Sequence, residues 1–439
     1  MRAAVIGSGI AGLAAAHRLQ RHCDVTLFEA GDYFGGHTHT VDLTLPDRSG
    51  HLVTHGVDTG FLVLNERTYP HLIRLLADLH VETVKSDMSF SVQVPGAFGA
   101  QPLEWSGSTL STVFSQRRNL LRPRFWRMLG DLLRFNKLAT RIAETQSDAE
   151  LRQPLDAFLR AHAFSDEFRD WYLLPMIGCI WSCPTEQMLR FPIGTLIRFC
   201  HNHGLLHVTD RPQWWTVNGG ARNYVERIVG GLRDARLNTP VLSVRRDEDG
   251  VDVHTTSGAE RFDQLVLATH SDQALALLAD PSAQEQALLG AIRYQSNLAV
   301  LHTDRSVLPR DQRAWAAWNY ERAAGSDGSA QVCLHYLLNR LQPLPWQQPV
   351  IVSLNPARQI ARTRVMGEYK YAHPVFDQAA IRAQAQLATI QGKQRTWFAG
   401  AWTGYGFHED GLKSGMAAAT GVLLQAEVER EAATQEPAA

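Results

Sequence analysis

The sequence predicts an α/β protein: a Rossmann-like parallel sheet assembled from discontinuous segments, an α+β domain joined to it, and an inserted helical subdomain. Three observations predict this. A buried strand, a glycine turn and an apolar helix open the chain; strand and helix alternate again near its C-terminal end; and the stretch between is irregular and, in its first half, mostly helical. A sheet begun at one end and completed at the other must join segments far apart in sequence.

Met1 to Ile6 (MRAAVI) reads as the first strand, and Gly7, Gly9 and Gly12 follow as GxGxxG at the start of a helix. Glu29 closes a second strand, with Ala30 after it, about 20 residues on. Gly7 allows the tight turn, Gly9 lets backbone approach a pyrophosphate, and Gly12 lets helix pack on strand. The helix N-terminus, through Ile10 and Ala11, supplies free N–H groups and positive dipole. Glu29 would accept from ribose hydroxyls and repel a 2′-phosphate. A glycine-rich turn with no ligand is the plainer alternative.

Gly35, Gly36, His37 and Thr38 come next, then strand patterns at Thr40 to Leu45 and Val57 to Leu64, a helix at Tyr69 to His80, and alternation at Val81 to Val94. From about Leu110 to Cys200 the pattern is helical, interrupted by Pro123, Pro154, Pro175, Pro184 and Pro192. Strands return at Val241 to Arg246, Val251 to Thr256 and Phe262 to His270, and NLAVLHT, AQVCLHYLL and PVIVSL follow. Asp377 to Ile390 reads as a helix, Arg395 to Ala399 as a strand and Gly411 to Glu427 as the last helix. The expected division is a nucleotide-binding domain at 1–80, 215–275 and 392–428, a substrate domain at 81–109 and 276–391, a helical subdomain at 110–214 and a disordered tail at 429–439.

With 43 basic and 44 acidic residues the chain is near neutral, which disfavours nucleic acid as a partner. No apolar run approaches the roughly 18 residues of a membrane span, and a strand beginning at residue 1 leaves no room for a cleaved signal peptide. The expected location is cytoplasmic, with peripheral attachment to the inner face of a membrane as an option. Cys23, Cys179, Cys183, Cys200 and Cys333 lack the spacing of a disulfide framework, and buried packing accounts for the Cys179–Cys183 pair better than redox or metal chemistry. No HxxxH or CxxC pattern suggests a metal, so none is expected.

Three stretches together resemble a known family: VIGSGIAGLAAAHRL with LFEAGDYFGGHTHT, then LVLATH, then WFAGAWTGYGFHEDGLKSGMAAA. They look like the FAD-dependent oxidoreductases related to flavin amine oxidases, protoporphyrinogen oxidases and phytoene desaturases. The segments GFHEDG, YxHPVF and GVDTGFLVLNERTYP look like a bacterial subgroup associated with cyclopropane fatty acid synthases. The resemblance implies that Gly7, Gly9 and Gly12 cradle the FAD pyrophosphate and Glu29 the adenosine ribose. It places Gly35, Gly36, His37 and Thr38 beside the diphosphate and ribityl chain, Val241 at the adenine and Thr269 at the nucleotide half. Gly400 and the turn into the last helix, with Gly411, Leu412 and Lys413, would reach the flavin pyrimidine. A helix N-terminus there stabilises negative charge developing at N1 and O2; a simple helix cap is the alternative. Where the family often carries a ribityl-binding acid this chain has Ala401, so Glu409 or Asp410 would have to replace it. No cysteine follows Cys333, so FAD is expected to be noncovalent.

Candidate acid or base groups are His37, His39, His373 and His408, with Glu409 and Asp410 beside the last. His408 leads, because the resemblance puts its turn against the isoalloxazine; a structural hydrogen bond is the competing role. Lys370 and His373, with Tyr371 between, form a second cluster that also suits packing or surface. Thr109 to Ala143 carries eight basic residues against Asp131 alone, with Leu120, Leu121, Phe125, Trp126, Leu129, Leu132, Leu133 and Phe135 interleaved. Such a helix suits an anionic membrane surface or a solvated face over a core. The expected activity is FAD-dependent oxidation or desaturation of a long apolar substrate such as a phospholipid acyl chain. Amine oxidation, and a noncatalytic role beside a lipid methyltransferase, are the alternatives.

Overall fold

The computed structural model describes residues 1–145, 151–181, 185–206, 212–324 and 330–435; Cys183 and residues 436–439 of the expected tail lie outside them. Five short strands form one parallel sheet in the spatial order Asp234–Arg236, Asp24–Phe28, Arg2–Ile6, Gln264–Leu267 and Thr396–Phe398. Their period of two divides the core. Ala3, Val5, Leu27 and Val266 face the helices Ile10–Leu19, Arg222–Val229 and His408–Gln435. Ala4, Ile6, Phe28, Leu265 and Leu267 face an antiparallel meander of Val241–Arg246, Val251–Thr255 and Gly258–Phe262. Both faces being covered explains why Arg2–Ile6, Asp24–Phe28 and Gln264–Leu267 are apolar almost throughout.

A second sheet has seven strands, in the order Val365–Val375, Arg293–His302, Ile351–Leu354, Ala330–Leu337, Trp318–Ala324, Phe90–Phe98 and Gln101–Ser106. Its pairings are antiparallel except that of Trp318–Ala324 with Phe90–Phe98. The helices of the inserted region pack on it through Phe125, Phe135, Phe158, Trp171 and Leu196, against Val92, Leu103, Trp105 and Leu334. Phe125 and Phe135 are thus core residues, whereas Leu121 (87% exposed), Leu133 (58%) and Trp126 (49%) point outward.

Two elements differ from expectation near the site. The strand expected over Val57 to Leu64 ends at Asp58, although Thr59 and Phe61 still donate to His39 O (2.9 Å) and His37 O (2.8 Å). Gly60 makes that close run possible, since a Cβ there would stand 2.2 Å from His37 O. The final helix starts at His408 instead of Gly411 and continues to Gln435, so it runs on into the segment expected to be disordered.

Candidate functional site

The glycine turn behaves as its spacing implies. Gly7 has φ +97°, and a Cβ at Gly12 would lie 1.8 Å from Gly7 O, so neither position tolerates a side chain. At Gly9 a Cβ would meet nothing within 4 Å: the backbone there borders open space. The helix Ile10–Leu19 makes its first backbone bond from Leu13 N to Gly9 O, leaving the N–H groups of Ile10, Ala11 and Gly12 without intrahelical acceptors. Gly36 (φ +58°) passes so near that its Cβ would come within 3.2 Å of Gly9 Cα.

Glu29 organises this end. Its carboxylate accepts from Ser8 N (3.0 Å), Ser8 Oγ (2.5 Å) and Gly31 N (2.8 Å), while Ser8 Oγ accepts from Gly35 N (3.1 Å). Two glycine loops are thereby tied together, and a carboxylate with about four acceptor sites keeps room for a ribose hydroxyl. Ser8 stands at a position that the GxGxxG spacing leaves unconstrained, so no local signal marks it. Ala30 is exposed at the rim. Asn238 N and Thr239 N donate to Gly31 O and Glu29 O, both at 2.9 Å, which brings Val241 to the same end of the sheet. Thr269 lies beside the turn, its Cγ2 3.2 Å from a Cβ built on Gly7, and its carbonyl accepts from Trp402 Nε1 (3.0 Å).

The C-terminal turn requires a correction. Because the helix begins at His408, Gly411 N donates to Phe407 O (3.0 Å), and Leu412, one residue further in, is likewise past the free turn. The N–H groups without intrahelical acceptors are those of His408, Glu409 and Asp410. Gly411 instead allows helix packing: its Cβ would be 2.7 Å from Ile10 Cγ2, and one at Gly415 would be 2.0 Å from Ala11 O. Lys413 is exposed, and lines an open surface pocket of about 310 Å³ with Arg67, Phe199, His203 and Phe407. Gly400 N donates to Ser414 Oγ (2.9 Å), which pins the turn to the helix.

Both acids beside His408 hold backbone N–H groups. Glu409 accepts from His71 N (3.0 Å), His71 Nδ1 (2.6 Å) and Leu72 N (3.0 Å), capping the helix Pro70–Asp78 from across the fold. Asp410 accepts from Tyr405 N (3.0 Å) and Phe407 N (3.1 Å), holding the GYGF turn, and burial raises its carboxyl.

The histidines converge. His37 lies 5.4 Å from His373 and 6.2 Å from His270, ring centre to ring centre. Burial lowers all of them: His373 to about 4, His408 to about 3, and His37 well below its ordinary value, with neighbouring His373 and His270 adding to the effect. They are neutral at physiological pH. His408 Nε2 meets Thr38 Oγ1 (2.9 Å) and Tyr224 OH (2.8 Å), and Phe61 stacks on the ring at 3.8 Å. One imidazole nitrogen is therefore in a structural hydrogen bond, and only Nδ1 is left for chemistry.

The tautomer of His373 follows from its partners. Leu298 N donates to Asn355 Oδ1 (2.9 Å), Asn355 Nδ2 to Asn297 Oδ1 (2.7 Å), and Asn297 Nδ2 to His373 Nδ1 (2.9 Å). A backbone N–H fixes the direction of the chain, so Nδ1 accepts and the proton of neutral His373 sits on Nε2. Lys370 does not join this group. Period two on Val365–Val375 puts Tyr369, Tyr371 and His373 on one face and Lys370 on the other, exposed, opposite Leu298. His39 Nδ1 meets Thr59 Oγ1 (3.0 Å) and Tyr371 OH (3.2 Å), a structural role. Asp58 is a further residue the sequence did not single out: buried, raised to about 6 by desolvation, and tied to Thr40 Oγ1, Ala221 N and Gln342 Nε2.

The open backbone at Gly9, the unpaired first-turn N–H groups, and His37 Nε2, buried without a partner among the described residues, suit a dinucleotide running from Glu29 toward the histidines. The model of the flavin-containing amine oxidoreductases matches residues 10–340, most of the chain. The chain belongs to this family. Membership implies FAD as cofactor and an oxidoreductase activity. A curated relative, protoporphyrinogen oxidase 2 (chloroplastic/mitochondrial) of Arabidopsis thaliana, is 27% identical over 185 residues, 40% of this chain; the match spans 32% of the relative's length. Among solved structures, the cyclohexylamine oxidase of Brevibacterium oxydans IH-35A superposes with a TM-score of 0.67 at 18% identity, covering 97% of this chain and 99% of that one. The CLA-producing fatty acid isomerase of P. acnes does so with a TM-score of 0.65 at 16% identity, covering 95% and 98%. At these identities the likeness is one of fold. No helix among the described residues is long and apolar enough to cross a membrane.

Proposed function

We propose that this flavin amine oxidoreductase-family enzyme oxidises or desaturates a long apolar substrate, a phospholipid acyl chain being the substrate class that best suits its surfaces. FAD, when bound, supplies the hydride acceptor. The observation that carries the reading is the outward face of the segment Leu110 to Leu133. Leu110 is 80% and Leu121 87% exposed, with Leu120, Trp126 and Leu133 also exposed, among Arg117, Arg118, Arg124, Arg127 and Arg134. Arg124 and Arg127 share Glu167 and Arg134 pairs with Asp131, yet all three guanidinium groups stay about half exposed. Apolar side chains ringed by arginine fit the boundary of an anionic bilayer. The likeness of GFHEDG, YAHPVF and GVDTGFLVLNERTYP to proteins associated with cyclopropane fatty acid synthases supports the same class.

The site residues suit an uncharged substrate. Gly7, Gly9, Gly12 and Glu29 would bind the nucleotide noncovalently, there being no cysteine after Cys333. Neutral His373, with Nε2–H presented, offers a hydrogen-bond donor instead of a base. Glu409 and Asp410, the carboxylates next to His408, are engaged in holding backbone N–H groups. The test is anaerobic visible absorbance of the purified flavoprotein as anionic phospholipid vesicles, free fatty acids and a panel of amines are added in turn. Bleaching by lipid supports the proposal. Bleaching by an amine alone replaces it with amine oxidation, and intact colour with every compound leaves a noncatalytic role beside a lipid-modifying enzyme.

A further inference from the structure

The seven-stranded sheet encloses a second polar cluster, remote in kind from the nucleotide site. Cys333 and His335 stand two residues apart on Ala330–Leu337, on one face, and register places Glu321 of Trp318–Ala324 directly opposite Cys333. All three are buried, Cys333 and His335 with no exposed surface and Glu321 with 4%. One donor atom from each lies within 4.8 Å of the others; His335 Nε2 is 3.4 Å from Cys333 Sγ and 3.3 Å from Glu321 Oε2.

We propose that Glu321, Cys333 and His335 form a structural zinc site. Thiolate, imidazole and carboxylate are the donors zinc takes, and bonds of about 2.0–2.3 Å in a tetrahedron set donors roughly 3.3–3.8 Å apart. The two distances to His335 Nε2 match that edge. Second partners are already in place: Ser353 Oγ is 2.7 Å from His335 Nδ1 and 2.6 Å from His302 Nε2, and Arg358 Nε donates to Glu321 Oε1 at 2.8 Å. Water completes the coordination.

Zinc would bind the sulfur as thiolate and the imidazole in its neutral form, any protons they held leaving to solvent, and the thiolate and the Glu321 carboxylate set two negative charges against the divalent ion.

The experiment uses the untagged full-length protein, incubated with zinc chloride, gel-filtered and assayed for metal by mass spectrometry, with X-ray absorption at the zinc edge. One zinc per chain, bonded to one sulfur, is expected. Cys333→Ser and His335→Gln should each lower retained zinc at least ten-fold. Wild-type protein that retains no zinc, or zinc with no sulfur neighbour, overturns the proposal without recourse to variants; so does full zinc retention by a folded Cys333→Ser/His335→Gln double variant.

Discussion

Replacing Gly415 by alanine adds one methyl group, and the structure fixes what it meets. The new Cβ would stand 2.0 Å from Ala11 O, in the helix whose first turn leaves its N–H groups unpaired. A carbon cannot sit closer than about 3.2 Å to a carbonyl oxygen without steep repulsion, so the two helices must part by about 1.2 Å. Backbone meets backbone, so no rotamer change relieves the clash. The cost should therefore fall at the upper end of the roughly 1–3 kcal/mol of overpacked cores. The same shift moves the Ala11 N–H away from a bound phosphate. Followed by flavin fluorescence on heating, Gly415→Ala should release its cofactor roughly 5–10 °C earlier and bind FAD about ten-fold more weakly. Gly130→Ala is the control: it lies exposed in Pro123–Thr145, its Cβ would meet nothing within 4 Å, and alanine there should stabilise by roughly 0.5–1 kcal/mol. Equal release temperatures and affinities for Gly415→Ala and wild type, or a stabilising shift at Gly415, would refute the packing account.

Glu409→Ala removes the distant cap of Pro70–Asp78 and orphans two backbone N–H groups, so thermal unfolding should show a loss of roughly 2–3 kcal/mol, partly restored in Glu409→Gln. His408 has a folded value near 3 against about 6.5 unfolded, so its contribution is complete above about pH 6.5 and declines as pH falls toward 3. It should lose roughly 2 kcal/mol between pH 7 and 5. Asp58, raised to about 6, and His335, lifted to about 9, act in the opposite sense over this range, so the diagnostic is the difference between wild type and His408→Asn. The variant should lose less stability on acidification, and parallel pH profiles would show that His408 is not held neutral. Lys370→Ala should leave anaerobic flavin reduction unchanged, and a large loss of rate would contradict the outward placement of that side chain.

Local spacing made the nucleotide end readable. Gly7, Gly9, Gly12 and Glu29 stand in one strand–turn–helix–strand unit, and a period of two or 3.6 named most strands and helices around them. The last helix begins three residues before the Gly411 that its pattern suggests. What starts the helix at His408 is the Asp410 carboxylate, folded back onto Tyr405 and Phe407 N–H. Lys370 and His373 are near in sequence, but on a pleated strand an offset of three residues puts them on opposite faces. The Ser8 bridge, the Asn355–Asn297–His373 chain and the pairing of Glu321 with Cys333 depend on contacts between segments distant in sequence, and no local pattern reports them.

The parallel sheet takes its strands from residues 2–6, 24–28, 234–236, 264–267 and 396–398, and the cofactor helix packs on one that begins at His408. During synthesis the phosphate-binding turn leaves the ribosome long before its last supporting strand, Thr396–Phe398. The emerging glycine loop therefore gains Asp24–Phe28 at once but waits for Gln264–Leu267 and Thr396–Phe398, and FAD would find its full site only once the helix from His408 has docked. Contacts spanning nearly the whole chain make this half of the molecule slow to form, so chains released early from the ribosome should remain colourless, open at the nucleotide cleft and ready substrates for proteolysis.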